Sequence, residues 1–255
     1  MKQCRYKTEE FWCGLQGRRI YGLLYRPESV SRPPLVIFSH EMGKTYTSGI
    51  GYAEALAREG MAVYLYDIRG GSIHCRSDGT MQEMSAFTVA DDLKTIIDDL
   101  VHTDLFDPGR IVLLGASLGG FASSVTAMRY PEEIAGMILL YPGFVLIEDI
   151  KREYDTKDRI PDVFLFNKWF QVGRCFATDV WDFDPYTQIG RYKKPVLVLH
   201  GDRDPLLPAS WSLMAASAYS YPLFQIIRGG QHGFHGEALK QALTYIIEYL
   251  KQYVF

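Results

Sequence analysis

The stretch "IVLLGASLGGFASSVTAMRYP", residues 111–131, sets one serine between two glycines where an apolar run stops and a helical pattern begins. A short aliphatic run closed by glycine reads as a buried strand, and the residues from 118 to about 130 carry helical periodicity. Glycine is poor in both strands and helices, and a serine adds nothing to a core. The pentapeptide Gly115-Ala116-Ser117-Leu118-Gly119 therefore needs an explanation other than packing. In a strand–turn–helix context, G-x-S-x-G lifts a hydroxyl clear of the sheet at a helix N-terminus, where amides favour developing negative charge. The competing explanation is an N-cap serine followed by packing glycines. The context favours a nucleophile.

Reading outward, further short apolar runs resemble the one that ends at Ser117: "PLVIFSH" (34–40), "MAVYLYD" (61–67), "AGMILLYP" (135–142), "KPVLVLHGD" (194–202) and "LFQIIRGG" (223–230). Helical patterns lie at roughly 48–59, 84–102, 118–130, 208–220 and 235–253. Strands alternating with helices predict a mostly parallel sheet buried on both faces, an α/β architecture. Near the start, "EEFWCGLQGRRIYGLLYRP" alternates about Gln16-Gly17 and predicts an antiparallel hairpin at the sheet edge. Between Pro142 and Lys194 roughly fifty residues break the rhythm, several times the usual connection length. They carry Trp169, Trp181 and several phenylalanines, too apolar for a disordered linker. The expected organisation is a core of 1–141 and 195–255 with a lid inserted at 142–194.

The 255 residues suffice for one large domain with a modest insertion, and 47% hydrophobic with 22% charged residues is ordinary for a globular protein. A formal charge of −3 without a dense basic run gives no expectation of a nucleic-acid partner. No stretch is long and apolar enough to predict a membrane span, and the N-terminus has no signal-peptide core. The four cysteines lack CxxC spacing, so neither a metal site nor a disulfide framework is expected, and reduced thiols point to the cytoplasm. A homodimer is compatible with the sequence.

A serine nucleophile needs a base, and in this architecture the partners follow in the order acid, then histidine. Of the six histidines, His40 and His200 precede any suitable acid, while His74 and His102 read as loop or surface residues. His235 belongs to the start of the last helix. His232, in "GGQHGF" after the last strand, is the expected base. For the acid, "HGDRDPLLP" (200–208) offers Asp202 and Asp204. Asp202 suits a turn, and Asp204, braced by Pro205 and Pro208, is the preferred partner for His232. Glu148 and Asp149 remain alternatives.

On these residues the chain resembles the α/β-hydrolase family: "GASLG" as elbow, "HGDRD" as acid loop and "GGQHGF" as histidine loop, from about residue 15 to the C-terminus. Within that family it is similar to compact cinnamoyl and feruloyl esterases, through residues 66–100 and the insert containing "RIPD". The resemblance implies hydrolysis of hydroxycinnamate-type or similar small aromatic esters without a cofactor, with the insert as a small lid. It also implies an oxyanion hole after the strand 34–40, where relatives carry His-Gly-x. Here the segment is "SHEMGK", so the implied donors are the amides of Met42 and Leu118. Glu41 stands where relatives have glycine. A carboxylate aimed at the hole would repel the charge held there, unless it points to solvent or pairs with Lys44 or Arg69.

An aromatic acyl group calls for flat apolar walls and a polar group for its phenol. Trp169 and Trp181 are candidates for the wall, and Asp162 for the phenol; packing within the lid explains the tryptophans equally well, and a turn explains Asp162. Three other functions fit the same residues: a short-chain carboxylesterase, a peptidase-like amide hydrolase, or a non-catalytic ligand binder on a hydrolase scaffold. Peptidases of this type usually carry a large extra domain, which favours the esterase.

Overall fold

The computed structural model describes residues 4–15 and 17–254. The turn residue Gln16 lies outside them, but the strands either side pair antiparallel as the alternation predicts: β1 (Tyr6–Leu15) with β2 (Arg18–Pro27). Then follow β3 (Leu35–Ser39), α1 (Ile50–Arg58), β4 (Ala62–Tyr66), α2 (Ala86–Val101), β5 (Ile111–Ala116), α3 (Leu118–Arg129) and β6 (Gly136–Leu140). The segment beyond β6 forms α4 (Leu146–Glu153), a ribbon of β7 (Val163–Phe166) and β8 (Phe170–Gly173), and the short helices α5 (Cys175–Thr178) and α6 (Pro185–Gln188). The chain returns to the sheet as β9 (Val196–Gly201), α7 (Ala209–Ala218), β10 (Pro222–Ile227) and α8 (Gly236–Tyr253).

Eight strands make the main sheet in the order β1-β2-β4-β3-β5-β6-β9-β10, and β7 and β8 make a separate two-stranded ribbon. From β4 to β10 every pairing is parallel. Alternation along each strand sorts the core into two layers. Leu35 and Ile37 of β3 join one layer with Leu93 and Ile97 of α2 and Phe121 and Val125 of α3. Val36 and Phe38 join the other with Leu56 of α1 and Ile246 and Leu250 of α8. Strands β3, β4, β5, β6 and β9 are buried throughout, which is why they read as unbroken apolar runs.

β10 departs from expectation. It stops at Ile227, and most of its residues are exposed or half-buried. It pairs only with β9, so it is an edge strand, and the glycine turn at Gly229 (φ +71°) ends it. The segment between β6 and β9 is joined to the neighbouring helices by a side-chain bond as well as by packing. Ser85, which caps α2 in a reciprocal box with Thr88, donates its hydroxyl to Asp179 at 2.6 Å. Phe164, Phe166, Val172 and Phe176 belong to the same apolar layer as α2 and α3.

Candidate active site

All the parallel strands deliver their C-terminal ends to one edge, where open α/β sheets collect ligands. Ser117 sits between β5 and α3 with φ 52° and ψ −117°, a conformation that L-residues avoid. The two glycines of the pentapeptide make it possible. A Cβ on Gly119 would lie 2.1 Å from the Ser39 carbonyl oxygen, and one on Gly115 would lie 2.4 Å from the Gly119 carbonyl oxygen. No side chain fits at either position. The Ser117 amide donates to Leu140 O at 3.0 Å, and Ser117 O accepts from Gly143 at 2.9 Å, which fixes the turn against the end of β6.

The structure brings three distant side chains together at this point. His232 Nε2 lies 3.1 Å from Ser117 Oγ, and His232 Nδ1 lies 2.8 Å from Asp204 Oδ2. A carboxylate only accepts, so Nδ1 carries the proton and Nε2 is left to accept from the serine hydroxyl. Asp204 is buried, and burial alone would push its carboxyl up. The bond from His232 and the backbone N–H groups of Leu207 and Leu206 outweigh that and hold it below the ordinary 3.8. Those two amides reach Oδ1 at 3.0 and 2.8 Å. Asp202 instead accepts from Gly229 N–H at 2.7 Å and shapes the turn after β10. Asp149 lies on the cavity wall beside Arg152 at 3.1 Å; burial raises its carboxyl, and it takes no part in the Ser117 chain.

The remaining histidines separate clearly. His40 and His200 are fully buried, and desolvation lowers both imidazoles. His40 Nε2 accepts from Ile68 N–H at 2.9 Å, so its Nδ1 donates to Glu41 O at 2.7 Å. His200 Nε2 donates to Leu207 O at 2.9 Å, and its Nδ1 accepts from Ser212 at 2.7 Å. His235 stands at the N-cap position of α8 without a side-chain cap bond; it and His74 are exposed, as the sequence reading had them, and both lie on the cavity rim.

Met42 and Leu118 line the cavity beside Ser117, and among the described residues neither amide donates to a protein acceptor. The Met42 loop is fixed by Gly43 N–H donating to Gly71 O at 2.7 Å. Glu41 takes neither route expected for it. It is buried, its Oε1 accepts from the Tyr141 hydroxyl at 2.8 Å, and its Oε2 accepts from Ser48 at 3.0 Å. Arg69 is engaged elsewhere, with Asp92.

The cavity holds about 870 Å³. Its apolar lining includes Val145, Leu146, Phe166 and Phe176 from the segment between β6 and β9; Glu41, Thr47, Ser48 and Tyr52 supply polar lining from the loop after β3 and the start of α1. Of the three expected substrate contacts, only Trp169 lines it, with its side chain mostly in solvent. Asp162 does not: its side chain is 98% exposed, 4.0 Å from Arg174, because the turn before β7 faces water. Trp181 does not either; it packs on the apolar layer with Lys151 over its ring. Tyr141 is the residue that sequence reasoning missed. It directly follows β6, has φ 35°, and lays its ring 4.7 Å from the His232 imidazole. Its position one residue past a buried strand at the sheet's carboxyl edge was the available signal. Among the described residues no group of three or more His, Cys, Asp or Glu side chains is arranged to hold a metal, and no helix is long and apolar enough to cross a membrane.

This fold and site define a member of the serine hydrolase superfamily with an α/β-hydrolase fold. The profile described as serine aminopeptidase, S33, matches residues 32–169, more than half of the chain, and the chain belongs to that family. The acylamino-acid-releasing enzyme of Rattus norvegicus is 26% identical over 192 residues; the match covers 71% of this chain but only 25% of that enzyme, so the chain spans about a quarter of its length. Mitochondrial palmitoyl-protein thioesterase ABHD10 of Bos taurus is 24% identical over 97% of this chain and 82% of its own. Among solved structures, Est1E of Butyrivibrio proteoclasticus with bound ferulic acid superposes with a TM-score of 0.86 at 20% identity, covering 96% of this chain and 99% of that one.

Proposed function

We propose that the protein is a serine carboxylic ester hydrolase that works through an acyl-enzyme on Ser117. The observation that carries this reading is the unbroken hydrogen-bond chain from Ser117 Oγ through His232 to Asp204. In the first step Ser117 Oγ attacks the ester carbonyl carbon, and its proton passes to His232 Nε2. Asp204 holds the imidazolium in place, and the amides of Met42 and Leu118 receive the tetrahedral oxyanion. His232 returns the proton to the leaving alcohol. Water, deprotonated by His232, then releases the acid and frees the serine. One oxyanion donor of this kind is worth about two to three orders of magnitude in rate.

We further propose that residues 142–194 act as a lid and that the acyl group is small and aromatic, of the hydroxycinnamate type. Support comes from the apolar insert residues on the cavity wall and from the ferulic acid bound in the Est1E structure. The free thiols of Cys4, Cys13, Cys75 and Cys175 suit a reducing, cytoplasmic setting. The test is hydrolysis of 4-nitrophenyl and methyl esters by wild type and Ser117→Ala, with methyl ferulate set against methyl butyrate. Turnover at background in the variant, and a preference for ferulate in wild type, is the expected result. A second reading, amide hydrolysis, is favoured by the match to acylamino-acid-releasing enzymes. Faster turnover of an N-acetylaminoacyl nitroanilide than of any ester in the panel would establish it instead.

A further inference from the structure

Glu41 is the residue that departs from the His-Gly-x pattern, and the structure gives that departure a use. Its backbone carbonyl accepts from His40 Nδ1 at 2.7 Å, and its two carboxylate oxygens accept from Tyr141 and Ser48 at 2.8 and 3.0 Å. The side chain is thus held at both ends, one residue before the Met42 amide. Tyr141 is held as firmly: its own amide donates to Leu199 O at 2.7 Å, and its ring meets Phe234 edge-on at 4.9 Å. The same ring lies 4.7 Å from the His232 imidazole. A positive φ at a bulky, fully buried residue costs free energy and persists only where its surroundings over-determine it.

We infer that Glu41 and Tyr141 are positioning residues: their hydrogen bond ties the segment bearing the Met42 amide to the aromatic surface on which His232 rests. The inference rests on the serine hydrolase reading. The physical reason for such a tie is that attack requires two things at once. The amide must stand where the oxyanion forms, and Nε2 must stand where the serine proton leaves; misplacing either by an ångström is expensive in rate. These two requirements sit on different loops, one after β3 and one after β10. The Glu41 carboxylate and the Tyr141 phenol join them through the end of β6. With a glycine at 41 the buried phenol of Tyr141 would lose the acceptor it has in this structure.

The experiment is steady-state hydrolysis of 4-nitrophenyl acetate, with rates taken per active site titrated by a fluorophosphonate, for wild type, Glu41→Ala, Glu41→Gln, Tyr141→Phe and the double variant Glu41→Ala/Tyr141→Phe. Glu41→Ala is expected to lose about 100-fold in kcat with KM within about threefold. Tyr141→Phe, which keeps the ring, is expected to lose about tenfold. The double variant should be no slower than Glu41→Ala, because both remove one tie. Glutamine still offers an oxygen to the phenol, so Glu41→Gln should recover to within about fivefold of wild type. A merely structural pair would lower the melting temperature and leave kcat per titrated site unchanged; that result overturns the inference, as do multiplying losses in the double variant or a Glu41→Gln as slow as Glu41→Ala. Glu41→Gln and Tyr141→Phe are near-isosteric and keep the test available if Glu41→Ala does not fold. Failure of wild type itself to label at Ser117 would instead refute the hydrolase reading.

Discussion

His200 Nε2 lies 3.5 Å from Asp204 Oδ2, the same oxygen that accepts from His232 Nδ1 at 2.8 Å. The His200 proton nonetheless goes to Leu207 O, in the loop whose amides grip the other carboxylate oxygen. Asp204 is thereby an anion whose buried side chain is held by the Leu206 and Leu207 amides and aimed at His232, with His200 bracing the same loop through Leu207.

That arrangement sets a pH dependence. Because the folded carboxyl is held below the ordinary 3.8, the stability it contributes is fully present above that value and is lost as pH falls through the folded one. Asp204→Asn is expected to melt below wild type at pH 7, with the gap closing below about pH 3.8. Its kcat should fall by about four orders of magnitude, because an amide can donate to Nδ1 and stabilise the wrong tautomer. Thermal melts across pH, alongside ester kinetics at neutral pH, check both. A gap that widens toward acid would contradict the sign.

Strain at residue 117 is measurable separately from chemistry. Ser117→Ala removes the hydroxyl but keeps a Cβ at φ 52°. Ser117→Gly removes both, and at a positive φ glycine is the more stable choice by about 1 kcal/mol. Both variants should be inactive, with Ser117→Gly the higher melting. Equal melting temperatures in differential scanning calorimetry would mean that the conformation costs nothing.

The elbow glycines should tolerate no side chain. Gly119→Ala drives a methyl into the Ser39 carbonyl, part of a fully buried strand that cannot yield cheaply. A loss of about 2–3 kcal/mol in urea unfolding, or insoluble protein, is expected. Wild-type stability in that variant would show that the β3–α3 approach is looser than described.

The contrast between Trp169 and Asp162 predicts a split in specificity. Trp169→Ala should raise KM for methyl ferulate more than for methyl butyrate, by about three- to tenfold, as one aromatic wall is lost. Asp162→Ala should alter neither ester, since its side chain stands in water away from the cavity. Selective loss of ferulate turnover in Asp162→Ala would reverse that assignment.

Much of the fold was legible because its five central strands are buried on both faces and so appear as plain apolar runs. The edge strand β10 was misjudged at its end, since one-sided pairing leaves it half-exposed and its glycine turn looks like more strand. At the site, Ser117, Asp204 and His232 could be chosen from motif and chain order, signals that are local to each loop. Tyr141 offered only its place just past a buried strand, and Ser48 and Tyr52 offered no signal, because their parts depend on which loops converge across the sheet edge. The environment of Glu41 was equally hidden: two hydroxyls, Ser48 and Tyr141, surround it, and hydroxyls carry no charge pattern for a sequence to display. For Asp162 and Trp181 the alternatives the sequence also allowed, a turn residue and packing, match where the structure puts them, because β7 turns Phe164 and Phe166 inward and leaves the turn before it in water.

The apolar layer that runs without a break from α2 and α3 into Phe164, Phe166, Val172 and Phe176 has a practical outcome. Residues 142–194 cannot be trimmed away like a detachable hat. A shortened chain joining β6 directly to β9 would bare greasy helix faces to water, so engineers wishing to widen the entrance should resculpt individual side chains and leave the backbone in place.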